Sequence, residues 1–298
     1  MSRQVKKTEE RKEKKLKGID LTKGVQAKRF AKTSGRYYGP IDENIYHNTT
    51  NPLKPSWTTI SNVESAPGLQ DWFKTHGKFA DFIGPTSAII GTITHECVDL
   101  LNAGEVIDSK FIENMLMEQA DVRWRFIYPH PYMAVELIRK QIASYCAFHT
   151  EHQPRILASE MMLWHPDVPW AGTADFLFSW YSNKQKQEVY MLGDLKTGAE
   201  QDKHFVQCQA YALLVEKIFD IKISILGVLH CTGKWRTKPT FKLKVKEVRN
   251  KAMDRNDASK VLIDKALALH ELWKINQKYE QPISKPMVPS RFKLKLVK

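Results

Sequence analysis

Hydrophobic and polar positions are patterned most informatively over residues 155–211. Residues 156–164, 170–180 and 189–196 are apolar runs of strand length, separated by turn-forming residues around His165-Pro166-Asp167 and Ser182-Asn183-Lys184. Runs this apolar fit strands covered on both faces. Over residues 203–219 the period changes: Phe205, Cys208, Ala212, Val215 and Phe219 recur every three or four positions, which is one face of a helix. Residues 223–231 read as a further buried strand. Residues 241–248 alternate lysine with apolar side chains, as an edge strand with a basic face does, and residues 258–279 as a closing helix.

Upstream, the first folded element is expected at Pro55-Ser56-Trp57-Thr58-Thr59-Ile60, with Ser61 or Asn62 placed to cap a short helix. Residues 86–101 have helical spacing and carry His95, with Gly91 one turn earlier leaving room for a backbone to approach. Residues 109–151 read as helical with a break at Tyr128-Pro129-His130-Pro131, and residues 134–152 as an amphipathic helix. The pattern predicts an α/β fold, a mixed central sheet flanked by helices with an N-terminal helical segment. Residues 1–35 read as a basic, disordered tail, residues 36–56 as an irregular connection, residues 36–281 as a single domain and residues 282–298 as a basic C-terminal tail.

Charge narrows the function. The 298 residues hold 46 Lys and Arg against 33 Asp and Glu, a formal net charge of +13. That excess fits a polyanionic partner, nucleic acid before membrane surface, although a basic chain also serves solubility. Met1 to Gly18 alone has eight Lys or Arg against three Glu, either a solubilising tail or a loose polyanion-binding arm. Cys97, Cys146, Cys208 and Cys231 form no CxxC pair, so free thiols in a reducing compartment are expected. Apolar runs are too short for a bilayer span and no secretory pattern opens the chain, so a soluble cytoplasmic protein is expected, in the host cytoplasm if viral. Cys146, His149 and His152 drift around their helix with no fourth ligand in view, a poor zinc site.

The chemistry lies in acids set inside apolar strands. Glu160, Asp175 and Asp194 each sit in one of the three runs, and a buried carboxylate is costly unless a positive partner joins it. Asp194 and Lys196 are two apart and so share a strand face. Carboxylates that hold Mg²⁺ or Mn²⁺ beside a lysine supply what phosphodiester hydrolysis needs: a positioned water and neutralised charge. An acidic-x-Lys triplet alone says little, since Glu10/Lys12 and Asp220/Lys222 repeat it; its apolar setting singles out Asp194/Lys196.

Glu160, Gly172-Thr173-Ala174-Asp175, Asp194-Leu195-Lys196-Thr197-Gly198 and Gln207-Cys208-Gln209-Ala210-Tyr211 together resemble the PD-(D/E)XK nuclease superfamily, in its RecB/Cas4-like branch. Gly91-Thr92-Ile93-Thr94-His95 is similar to that branch's Gly-Thr-x-x-His element. Residues 55–60 and 69–72 resemble the opening of phage exonucleases and of mitochondrial genome maintenance exonucleases. The resemblance implies a restriction-endonuclease-like core with its motifs in residues 87–232. It implies metal binding by His95, Asp175, Asp194, Glu160 and the Leu195 carbonyl, with Lys196 as catalytic lysine and Gln207 and Tyr211 facing the site or the substrate. The superfamily's proline before the first aspartate is Ala174 here, and the cysteines lack the spacing that holds an iron–sulfur cluster in some members, so none is expected.

The function expected is a Mg²⁺- or Mn²⁺-dependent deoxyribonuclease, an exonuclease on single strands or duplex ends rather than an endonuclease, serving DNA processing, recombination or replication alongside protein partners of those processes. A non-catalytic nucleic-acid-binding or assembly protein with the same fold is the alternative, and RNA a third substrate reading. Base stacking by Trp124 or Tyr128 beside Arg123 and Arg125 competes with a plain core role for those aromatics.

Overall fold

The apolar runs pair into one sheet. A computed structural model describes residues 27–32, 35–50, 52–64, 69–182, 186–249 and 254–279. In it, β4 (Arg155–Leu163), β5 (Gly172–Ser182), β6 (Gln187–Lys196), β7 (Ile223–His230) and β8 (Lys242–Glu247) lie side by side in chain order. β4, β5 and β6 form an antiparallel meander, β6 and β7 are parallel, and β8 returns antiparallel at the edge. A parallel neighbour needs a crossover, and α8 (Lys203–Phe219) is that connection. The architecture is mixed α/β, as the pattern predicts, with bounds within a few residues of those expected.

Alternation along β5 and β6 feeds two cores. Leu177 and Leu192 pack with α8 and with α9 (Asp257–Tyr279). Phe176, Phe178, Met191 and Leu195 pack on the opposite face, with Tyr145 and Phe148 of α7 (Pro131–His152). α7 starts with Pro131 in its first turn, where a missing N–H costs nothing. A second helical cluster joins α7 to α4 (Ala80–Asn102), α5 (Ser109–Met117) and the single turn α6 (Trp124–Ile127). α4 begins six residues earlier than the expected helix and carries Pro85 inside it. α8 is tied to the C-terminal region by Glu216, which pairs with both Arg249 and Arg255.

The N-terminal expectations need correcting. Residues 27–32 and 35–48 are neither tail nor irregular connection: β1 (Ala27–Lys32) and β2 (Gly35–Pro40) pair antiparallel as a hairpin, followed by α1 (Glu43–Asn48). β3 (Lys54–Pro55) completes a small antiparallel sheet in the order β1-β2-β3. Lys28, Arg29 and Lys32 hid these strands from an apolar-pattern search. Their stability comes from backbone pairing and from Tyr38, which packs with Trp164 and Ala171 far along the chain. The helix after Pro55 is α2 (Trp57–Ser61), capped by Ser56, whose Oγ accepts from Thr59 N–H at 3.0 Å; Ser61 and Asn62 lie at its other end. α3 (Leu69–His76) then leads through a 3₁₀ turn into α4. The rest of the expected N-terminal tail (residues 1–26) and the C-terminal tail (residues 282–298) lie outside the described residues. Among the described residues no helix is long and apolar enough to cross a membrane.

Gly193 shows how tightly the meander is drawn. A Cβ there would sit 1.6 Å from Cε2 of Phe176, whose ring lies over the β6 backbone and stacks on Phe178 at 4.3 Å between centroids. Gly193→Ala must therefore displace a fully buried ring. The expected loss is about 3 kcal/mol, the upper end for overpacking, read from the urea midpoint of full-length protein; an unchanged midpoint would contradict this packing.

Candidate functional site

The site forms where β6 parts from β5, while β4 stays paired to β5 as far as Leu163 and Gly172. The regular β5–β6 pairing ends at Phe176 and Gly193. One residue on, the Asp175 side chain takes over: its Oδ2 accepts from Leu195 N–H at 2.6 Å. Across β5, Glu160 lies between Ser159 and Met161, which pair with Phe176 and Ala174. Its φ of 44° is in the left-handed region, unusual for a residue with a Cβ and rarer still within a strand. Such a backbone costs about 1–3 kcal/mol and persists only when its surroundings impose it. Ser159 next to it donates to Oδ1 of Asp99 on α4, which clamps this point of β4 to the helix.

α4 brings His95 over the gap. Gly91 lets the helix come close, since a Cβ there would be 3.3 Å from Thr197 Oγ1 in the turn after Lys196, so the residue approached is the one following the lysine. His95 Nδ1 is 3.3 Å from Glu160 Oε1 and 3.6 Å from Asp175 Oδ2, and Nε2 is 3.0 Å from the Leu195 carbonyl. Both ring nitrogens face acceptors, an arrangement satisfied in full only by the doubly protonated imidazolium. Burial pulls the His95 pKa down, but Asp175 and the Glu160 hydrogen bond outweigh it and raise the value to about 9.

Those acceptors also suit a cation. One ligand atom each from His95, Glu160 and Asp175 lies within 4.8 Å of the others, and this is the only such group among the described residues. The Leu195 carbonyl adds an oxygen next to this group, at the ring's other nitrogen, Nε2. One imidazole with hard oxygens fits Mn²⁺ or Mg²⁺ better than a soft metal. The residues present fit the group.

Asp194 and Lys196 stand beside this cluster. Asp194 is 3% exposed; its Oδ1 accepts from Lys196 Nζ at 2.6 Å and from Gln207 Nε2 at 2.9 Å. Its Oδ2 is buried without a hydrogen-bond partner. Burial, helped by Asp175, raises the Asp194 pKa against the pull of Lys196. Burial lowers that of Lys196, but Asp194 and Asp175 outweigh it, so the lysine stays cationic. Gln207 thus faces the site through Asp194. Tyr211, one turn on, lines the same cleft with its ring against Gly172, where a Cβ would lie 2.5 Å from the phenol oxygen.

The cleft has a volume of about 560 Å³ and is bounded by α4, the strand ends, α8 and the N-terminal hairpin. Every site residue expected from sequence borders it or lies directly behind it, although Asp194 faces Lys196 and Gln207 rather than the three-residue cluster. Sequence patterns missed Asp99, the Glu160 backbone and the hairpin's Arg29, Arg36 and Tyr38. Only the spacing of Asp99, one turn after His95, offered a signal. Trp124 is fully buried, so the core role holds for it; Tyr128 is half-buried against the same cluster, and Phe126 nearby is exposed, against Phe82. Of the four thiols, Cys146 is exposed and the other three are buried. No protein-family model matches the chain, and no curated protein matches it.

Two measurements probe this geometry. Glu160→Gly and Glu160→Ala remove the same carboxylate, but only alanine keeps a Cβ in the left-handed backbone. Glycine should be the more stable by about 1 kcal/mol in urea unfolding; equal stabilities would mean the backbone relaxes. The second concerns pH in chelator. A pKa raised from 6.5 to about 9 contributes stability that is fully present below pH 6.5 and lost as pH rises through 9. His204 is held near 4 by burial and by Lys196, so it titrates on the acid side and leaves this window to His95. Wild-type stability should fall by on the order of 3 kcal/mol across the window, and His95→Asn should flatten the curve.

Proposed function

We propose that this chain is a metal-dependent deoxyribonuclease with a PD-(D/E)XK-type core, acting as an exonuclease on single strands or duplex ends. The observation that carries the reading is the convergence of His95, Glu160 and Asp175 within 4.8 Å, beside the ion pair of half-buried Lys196 with buried Asp194 and at the rim of an open cleft. Buried charge of this density costs stability and is typical of sites that do chemistry. The mixed sheet, with acids at neighbouring strand ends and the lysine two residues after Asp194, supports that core.

His95, Glu160, Asp175 and the Leu195 carbonyl would hold the divalent ion, with Asp194 at its flank. When bound, Mg²⁺ or Mn²⁺ supplies Lewis-acid polarisation of a phosphoryl oxygen and a more acidic water. The chain's own residues do the rest. Lys196, kept cationic by Asp194 and Asp175, offers positive charge where the phosphorane develops negative charge. Gln207 fixes the Asp194 carboxylate, leaving Oδ2 as a free acceptor able to orient a proton. Glu160 and Asp175 set the rotamer and height of the His95 ring.

Polyanion binding has a second support outside the cleft. Lys234, Arg236, Lys238, Lys242, Lys244 and Lys246 follow β7 in thirteen residues without an acid, directly after the strand that pairs with β6 at Lys196. A single Glu200 takes both Lys242 and Lys244.

The decisive assay uses end-labelled single- and double-stranded DNA with Mn²⁺ or Mg²⁺, and matched RNA. Degradation by wild type, with Asp175→Ala and Lys196→Ala slower by 10³-fold or more (about 4 kcal/mol of transition-state stabilisation), is the expected result. Mn²⁺ affinity by calorimetry should rise with pH up to about 9, since the ion must displace the His95 proton. Intact substrate in all lanes, together with Mn²⁺ binding unaltered in Asp175→Ala, would leave the non-catalytic nucleic-acid-binding alternative.

A further inference from the structure

The hairpin β1–β2 was the least legible part of the chain, and its geometry gives it a task. Arg29 stands opposite Tyr38 and Ala31 opposite Arg36. Residues opposed across an antiparallel pair share a face, as do residues two apart on one strand, so Arg29, Arg36 and Tyr38 all point the same way. That face is a wall of the cleft whose other walls carry His95, Glu160 and Asp175.

The wall is anchored to the strand that bears Asp175. Tyr38 is 2% exposed, and its hydroxyl is 3.0 Å from Thr173 Oγ1, two residues before Asp175. Trp57 N–H donates to the Ala171 carbonyl at 2.8 Å, and Ala171 N–H to that of Pro55 at 3.0 Å.

Arg36 is also oriented. Its Nη2 donates to Thr58 Oγ1 at 2.8 Å, and its backbone N–H to Thr59 Oγ1 at 3.0 Å. Ser56 Oγ lies 2.9 Å from Thr58 Oγ1 and 2.8 Å from Thr59 Oγ1, which joins the three hydroxyls. Gly35 has a φ of 131°, and a Cβ there would be 2.5 Å from Thr59 Cγ2, so only glycine lets β2 meet this cradle. The run Pro55-Ser56-Trp57-Thr58-Thr59-Ile60, conspicuous in the sequence, thereby acquires a role: its hydroxyls steer the guanidinium of Arg36. Neither Arg29 nor Arg36 forms an ion pair with a carboxylate among the described residues, although both border a cleft lined with carboxylates.

A guanidinium held by one edge and unpaired on the rest is prepared for an anion with two oxygens, and the planar fork matches phosphate. The carboxylate wall would otherwise repel a polyanion from the cleft. We infer that Arg29 and Arg36 form a phosphate-binding wall that grips the nucleic-acid backbone at the phosphate next to the scissile one. Thr58 is a positioning residue for Arg36. The substrate class rests on the nuclease reading above, but the binding itself needs no catalysis.

The test therefore has two arms. In chelator, fluorescence anisotropy of a labelled single-stranded oligonucleotide measures binding across a salt series. Arg29→Gln/Arg36→Gln should bind at least tenfold more weakly at low salt, with the slope of log K against log salt falling by about 0.7 for each phosphate no longer neutralised. Thr58→Val, which leaves the capping Ser56 in place, should weaken binding less in the same direction. Arg36→Lys should rescue only in part, because a single ammonium cannot fork between Thr58 and a phosphate. Unchanged affinity and slope in a double variant with wild-type melting temperature would overturn the inference.

In Mn²⁺, the double variant should raise KM more than it lowers kcat. A neutral methylphosphonate next to the scissile phosphate should slow wild type yet cost the double variant nothing further. Independent, multiplying losses would refute the placement. If wild type cleaves nothing, the nuclease reading fails while the chelator arm still decides the wall. If wild type cleaves and the variant binds equally well, the wall alone fails.

Discussion

Carboxylates repel one another, and withdrawing them from water strengthens the repulsion while adding a desolvation cost of about several kcal/mol per ion. This chain nevertheless gathers Glu160, Asp175 and Asp194 at one end of a sheet, with Asp194 almost fully covered. Two cations make that arrangement tolerable, the His95 imidazolium and the Lys196 ammonium, each between acids on different strands. Much of the fold serves this balance. α4 must lie close enough to lower His95 onto the strands, which Gly91 permits, and β6 must end where Lys196 can turn back on Asp194. The Asp175 carboxylate must stand in for a backbone partner where the ladder opens.

The same constraint explains where the structure is rigid and where it is strained. Behind the acids, Phe176 and Phe178 stack across the β6 backbone and leave Gly193 no room for a side chain. That rigid floor keeps β5 and β6 from closing the gap by sliding. Strain is concentrated at Glu160, whose left-handed backbone turns its carboxylate toward His95 while Ser159 and Asp99 hold the strand to the helix. A strand that ran straight through Glu160 would carry that side chain elsewhere.

Much of this was legible in the residues. β4 to β7 and α8 follow from apolar runs and a change of period, because they face the cores, and the exposed edge strand β8 follows from its alternation of lysine with apolar residues. Asp194, Lys196 and Gln207 were found because polar residues inside apolar runs stand out. What stayed hidden has a common cause, dependence on partners far along the chain. The hairpin at Ala27–Lys32 and Gly35–Pro40 carries too much charge to announce itself, and Tyr38 acquires its meaning only from Thr173, Trp164 and Ala171. The φ of Glu160 is a tertiary property, invisible in local composition. Trp124 and Phe126 show the converse: aromatics two positions apart, one buried and one exposed, with nothing in the string of letters to tell them apart.

The distance between Tyr38 and Thr173, 135 positions along the chain, bears on the order in which the molecule assembles. Helical contacts within residues 80–152 are local, and the β4–β5–β6 meander pairs strands close in sequence, so both can form early. The β1–β2 hairpin has nothing to dock on until β5 exists, although it leaves the ribosome before β5. In the interval the carboxylate cluster has no arginine wall opposite it. On the phosphate-binding wall proposed above, a half-folded chain without Arg29 and Arg36 in the cleft would engage polyanions less well than the finished one.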